Sequence, residues 1–102
     1  MGCTDRIRVH LADSLRPGKK YAATLGDGGG VVNFGAAGYE DYTMHKDVVR
    51  RDRYLQRHCA REVWSKSGLA TPGFWSRWLL WNRATLAASK RDMARRFCLH
   101  FV

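Results

Sequence analysis

The sequence predicts an α+β fold: a small antiparallel sheet of two or three N-terminal strands packed against two or three C-terminal helices. Three observations carry this prediction. Eight of the ten glycines precede residue 40, one early hexapeptide alternates strictly between polar and apolar residues, and apolar residues recur at helical spacing after residue 47. A chain of 102 residues has room for one domain. It is read as a single domain over 1–102, with a β-rich part at about 1–38 and a basic helical part at about 45–98. Hydrophobic residues make up 45% of the chain and include four tryptophans, enough apolar mass to close a small core and to argue against disorder.

The elements follow in order. In Arg6-Ile7-Arg8-Val9-His10-Leu11 the period of two places Ile7, Val9 and Leu11 on one face of a strand. Residues 20–25 and 31–34 flank Gly26-Asp27-Gly28-Gly29-Gly30, whose glycines suit a hairpin connection, so residues 20–35 read as a β-hairpin. A helix is expected over about 47–65, with Val48, Leu55, Cys59 and Val63 on one face and Ser67-Gly68 ending it as a glycine cap. Thr71-Pro72 reads as an N-cap followed by proline at the first helical position, opening a helix with Phe74, Trp75, Trp78, Leu79 and Trp81. A last helix is expected from near Thr85 to about Phe97, with Leu86, Met93 and Phe97 on one face. Trp78, central on its helix, is assigned to the core, and Trp75 and Trp81 are the candidates for an aromatic interface.

Charge is distributed unevenly. Residues 1–45 hold five basic and five acidic side chains, whereas 46–102 hold thirteen basic and four acidic, so the whole net charge of +9 lies in the second part. Arg50, Arg53, Arg57 and Arg61 follow one another at spacings of three and four, a guanidinium stripe on the long helix. Solvated helices usually mix signs, and a one-sign surplus is costly by self-repulsion unless something anionic sits nearby. The expected partner is therefore acidic, and Arg50, Arg53, Arg57, Arg61, Arg77 and Arg83 are the expected contacts. No apolar run is long enough to cross a membrane, and Asp5, Arg6, Arg8 and Asp13 interrupt any signal-peptide core, so neither a membrane partner nor secretion is expected. Cys3, Cys59 and Cys98 form an odd set without a close pair, which predicts free thiols in a reducing compartment and Cys59 packed as a small hydrophobe.

Catalytic arrangements are weakly represented. His45-Lys46-Asp47 has the letters of a phosphodiesterase signature without its spacing, and a cluster at a helix start is the expected reading. Glu40, Asp41, Asp47 and His45 could collect Mg²⁺ as in a metal-dependent nuclease, a remote alternative to an acidic turn that pairs with the arginine helix. His58-Cys59 and Cys98-Leu99-His100 lack zinc half-site spacing, and the glycine cluster leads into a strand where a phosphate-binding loop leads into a helix. No catalytic residue, metal, cofactor or small-molecule substrate is expected.

One set of residues resembles a known family. Phe34-Gly35-Ala36 with Gly38-Tyr39, Asp41-Tyr42-Thr43, His45-Lys46-Asp47, Arg53-Tyr54, Arg57-His58, Arg61-Glu62, Trp64, Lys66-Ser67-Gly68 and the run from Gly73-Phe74-Trp75 through Trp81-Asn82 resemble an uncharacterised family of small basic proteins. Its members are encoded by nucleocytoplasmic large DNA viruses of algae and protists. The likeness covers roughly residues 19–97; where the family is expected to carry proline after His-Lys-Asp, this chain has Val48. The resemblance transfers no activity. It implies a non-enzymatic virion component, a minor capsid or scaffold-type protein meeting acidic surfaces of other virion proteins, in the virion or in the nucleus or cytoplasm of an infected cell. The alternative is a nucleic-acid-binding protein, with Arg and Lys on phosphates and Trp stacking on bases.

Overall fold

A computed structural model describes residues 3–26 and 29–102. It confirms the α+β class. Strands β1 (Ile7–Asp13), β2 (Lys19–Leu25) and β3 (Val31–Ala36) form an antiparallel meander, with Val9 opposite Leu25 and Tyr21 opposite Phe34. The expected hairpin is present, closed by the bond from Leu25 N–H to the Gly30 carbonyl; Asp27 and Gly28 of its connection lie outside the described residues. The order is β3-β2-β1-β4, because the five-residue tail forms a fourth strand, β4 (Leu99–Phe101), parallel to β1 with Ile7 opposite Leu99. Three residues are too few for a readable period, which is why this strand is invisible in the sequence.

The helices depart from expectation in length. After the short α1 (Tyr42–His45), α2 runs over Val48–His58, capped by Asp47, whose Oδ1 accepts from the N–H groups of Val49 and Arg50. Val48 thus occupies the first helical position, where proline is also favoured, so the departure from the family pattern leaves the helix start intact. The expected continuation to residue 65 is absent. The turn beyond it is held by side-chain bonds instead: the Glu62 carboxylate accepts from the Trp64 indole N–H two residues on and pairs with His58, and the Trp64 carbonyl accepts from the Trp78 indole, a tertiary bond. Gly68 therefore does not cap α2. It sits buried in a 3₁₀ turn, Lys66–Gly68, where a Cβ would come within 2.0 Å of the Val63 carbonyl oxygen.

Pro72 opens α3 (Pro72–Trp75) as expected, and α3 continues into a widened π turn over Ser76–Leu80, closed by Trp81 N–H on the Ser76 carbonyl. The last helix, α4 (Leu86–Phe97), lies where the sequence places it, with the Thr85 side chain accepting from Ala88 N–H. One sheet face carries the core, built from Val9, Ala23, Leu25, Val32 and Phe34 against Phe74, Trp75, Leu79, Leu80, Met93, Phe97 and Leu99. The expected apolar face of α2 is not part of it: Val48, Cys59 and Val63 are exposed and the helix has no buried residue. Among the described residues no helix is long and apolar enough to cross a membrane.

The cysteines correct a second expectation. Cys3 and Cys98, 95 residues apart, form a disulfide that ties the start of the described chain to the left-handed cap of α4. Cys59 is an exposed free thiol and not a packed hydrophobe. The sequence conceals the pair because β4, which lays the end of α4 beside β1, is too short to be read from it.

Candidate anion-binding surface

The arginine stripe is divided by the fold. Arg50, Arg53 and Arg57 are exposed on α2, and Arg61 is exposed in the turn beyond it. Arg50 makes a 3.2 Å ion pair with the exposed Glu40, whereas Arg53, Arg57 and Arg61 have no ion pair among the described residues. The side of α2 turned toward the protein carries Arg51, Tyr54 and His58. Tyr54 stacks nearly parallel on Trp81 at 4.2 Å, with His58 of the same helix on it at 4.1 Å, and Arg51 donates to the Asn82 carbonyl at 3.4 Å, so α2 is anchored by a ring stack and a guanidinium bond instead of an aliphatic seam. Burial and the nearby Glu62 charge push the Tyr54 hydroxyl up to about 12, against the opposing pull of Ser76, Arg77 and Arg57.

A second group of arginines gathers around one buried carboxylate that the sequence reading did not single out. Asp92 on α4 accepts from Asn82 Nδ2 at 2.8 Å, Arg95 Nη2 at 2.7 Å, Arg96 Nε at 3.2 Å and Arg83 Nη2 at 3.4 Å. Burial alone would raise its pKa. The bonds from Asn82 and Arg96 and the charges of Arg96 and Arg83 reverse that effect and bring it down to about 2. Arg95 and Arg96 follow Asp92 at helical spacings of three and four, the local signal by which this centre could have been found; Asn82 and Arg83 arrive only through tertiary structure.

Arg77 lies beside this group. Its guanidinium stands 4.1 Å from the Trp78 ring centre and 5.3 Å from that of Trp64, and the Arg96 guanidinium stands 4.7 Å from Trp78. Arg77 donates to the Trp81 carbonyl, while its Nε is buried without a partner. Burial, together with the charges of Arg51 and Arg96, lowers its pKa from the usual guanidinium range. The sequence-selected Arg77 and Arg83 therefore belong with Arg95 and Arg96, and the α2 arginines form a separate set.

Of the aromatic assignments, that of Trp75 is overturned. Trp75, a candidate for the interface, is fully buried against Phe34, and its indole N–H is satisfied by the Leu69 carbonyl at 2.7 Å. Adjacent Phe74 is buried too, packed on Phe97, because α3 lies between the sheet and α4 and has two covered sides. Trp78, assigned to the core, packs against it on Phe97 at 5.2 Å, partly buried and covered by guanidinium groups. Trp81 is half-buried, with one face occupied by Tyr54.

The acidic turn has structural employment. Asp41 binds Lys20 Nζ at 2.6 Å and caps α1 through the Thr43 backbone N–H and hydroxyl; Glu40 pairs with Arg50 and Asp47 caps α2. His45 Nδ1 accepts from Asp47 N–H, and Lys46 Nζ bridges the carbonyls of Thr43 and Ala84. Among the described residues no three His, Cys, Asp or Glu side chains are grouped closely enough to hold a metal ion.

Comparison with known proteins adds one likeness. Residues 9–58, from β1 to the end of α2, match the model of a family of unknown function, DUF5754. The match takes in Arg50, Arg53 and Arg57 and stops short of Arg77, Arg83 and Asp92. No curated protein and no solved structure matches the chain.

Proposed function

We propose that this chain is a non-enzymatic binding protein that docks an acidic partner on the arginines of its helical half, serving as a virion component of minor capsid or scaffold type in a large DNA virus. The viral setting is supported by the sequence resemblance. The docking surface is supported by a single observation above the others: Asp92 orients Arg83, Arg95 and Arg96, one carboxylate against three guanidinium groups, and Arg77 adds a fourth positive charge beside them. The group keeps a positive surplus, and its geometry is set before any partner arrives.

The aromatic rings favour an acidic protein surface over single-stranded nucleic acid. Trp75 is inside the core and Tyr54 and Trp81 are stacked on each other, so these rings do not offer open faces for successive bases. The test is equilibrium binding of the purified protein to an acidic peptide and to duplex DNA over about 50 to 200 mM salt, beside Arg83→Gln/Arg95→Gln/Arg96→Gln. The expected result is tighter binding of the acidic peptide and about tenfold or greater loss in the variant. Tighter binding of DNA, with a steep log-log salt slope, makes the partner a nucleic acid. Unchanged affinity of the variant for both ligands overturns the assignment of the cluster.

A further inference from the structure

A cleft of about 490 Å³ opens between α2, the β2–β3 end of the sheet and the start of α3, with none of Arg83, Asp92, Arg95 and Arg96 in its lining. We propose that it binds a small phosphate monoester, held by Lys19, Arg50 and Arg57 of its lining with one further donor from the hydrogen-bonded Tyr54–Ser76 hydroxyl pair. The volume falls within the range of small-ligand sites and exceeds what a phosphate group fills, leaving room for the organic part of a monoester.

The charge balance of the lining points to an anion. Three carboxylates border the cleft, and each is already engaged: Asp41 by Lys20, Glu62 by His58 and the Trp64 indole, and Glu40 by Arg50. Among the described residues Lys19 and Arg57 have no ion pair, and the Arg50–Glu40 pair is exposed, so an incoming phosphate can replace Glu40 at little cost. Tyr54, which lines the cleft with these cations, interacts through its hydroxyl with Ser76, and that hydroxyl keeps its proton throughout the neutral range. A doubly charged phosphate oxygen group suits such a set because it accepts several donors at once. On the lip, Tyr39 is 72% exposed and available to a flat organic group.

The experiment is calorimetric titration of the full chain with inorganic phosphate, O-phosphoserine and AMP. The expected result is saturable one-to-one binding in which inorganic phosphate competes with both esters. Tighter AMP identifies a nucleotide-like ligand, and tighter O-phosphoserine a phosphorylated amino acid. Lys19→Gln/Arg57→Gln should weaken every ligand at least tenfold while its thermal midpoint stays at the wild-type value, and Arg50→Gln alone should weaken them by less. Arg83→Gln/Arg95→Gln/Arg96→Gln should leave these affinities unchanged, which separates this site from the proposed polyanion surface. Absence of saturable binding, or equal affinity in the Lys19/Arg57 variant, overturns the proposal.

Discussion

Two buried carboxylates serve opposite ends of the charge distribution. Asp41 and Asp92 are 3% and 6% exposed, so both depend on partners inside the protein. Asp41 is balanced: one ammonium group, Lys20, neutralises it, and its remaining capacity goes to the cap of α1. Asp92 is overmatched, facing Arg83, Arg95 and Arg96 together. A carboxylate matched one to one joins two pieces of fold, here the sheet and the loop leading to α2. A carboxylate facing three guanidinium groups cannot neutralise them and instead fixes where their surplus charge points. The first arrangement is complete in the isolated chain; the second leaves a positive surplus, which the proposed acidic partner would meet.

The sharpest way to break this comparison is to neutralise each acid in turn. Asp41→Asn leaves the Lys20 ammonium, 15% exposed, without its counter-charge, and unfolding stability should fall by on the order of 2–3 kcal/mol. Asp92→Asn should cost less, on the order of 1–2 kcal/mol, because its arginines are 42–73% exposed at the side chain and can return to water. Denaturant titration of the two variants checks the order. A larger loss in Asp92→Asn would make the arginine cluster a structural centre.

The acid limb of the stability profile sharpens the same contrast. Asp92 has its pKa lowered from 3.8 to about 2, so the folded state holds the ionised form and the unfolded state takes up its proton first. The associated stability is fully present above about pH 4 and is lost as the pH falls through about 2, on the order of 1–2 kcal/mol after allowance for the solvated partners. Thermal unfolding between pH 5 and pH 2 should fall less steeply in Asp92→Asn than in the wild type. Equal slopes would show that Asp92 gains nothing from its arginines.

What could be read from the sequence follows from the range of the interactions. The alternation around Val9, the glycine cluster after Leu25 and the Thr85 cap are local signals, and β1, the hairpin and α4 appear where they place them. The end of α2 is not legible because Cys59 and Val63 extend its apolar period, while the bonds that fix the non-helical path beyond it, from the Trp64 indole to Glu62 and from the Trp78 indole to the Trp64 carbonyl, are made by polar groups that a hydrophobic period does not register. Trp75 goes to the core and not to an interface for a related reason. Spacing ranks faces by apolar content, but which face is covered depends on α3 lying between sheet and α4, a tertiary fact. Of the site, the six selected arginines were visible as charge, yet their division into an α2 set and an Asp92 set was not, since Asn82 and Arg83 approach Asp92 only in the folded chain.

The smallest expected effect concerns the arginines that neither carboxylate reaches. Arg53, Arg57 and Arg61 are exposed and have no ion pair among the described residues, so the fold gains no paired charge from them and bears only their mutual repulsion. Arg53→Gln/Arg57→Gln/Arg61→Gln should therefore change unfolding stability by no more than about 0.5 kcal/mol per site, with a slight gain at low salt as repulsion is relieved. Affinity for an acidic peptide should fall in the same variant, and the fall should shrink as salt rises. A marked loss of stability would mean that these side chains cover apolar surface through their methylene stems and help hold α2 beside the Tyr54–Trp81 stack and the Arg51 contacts.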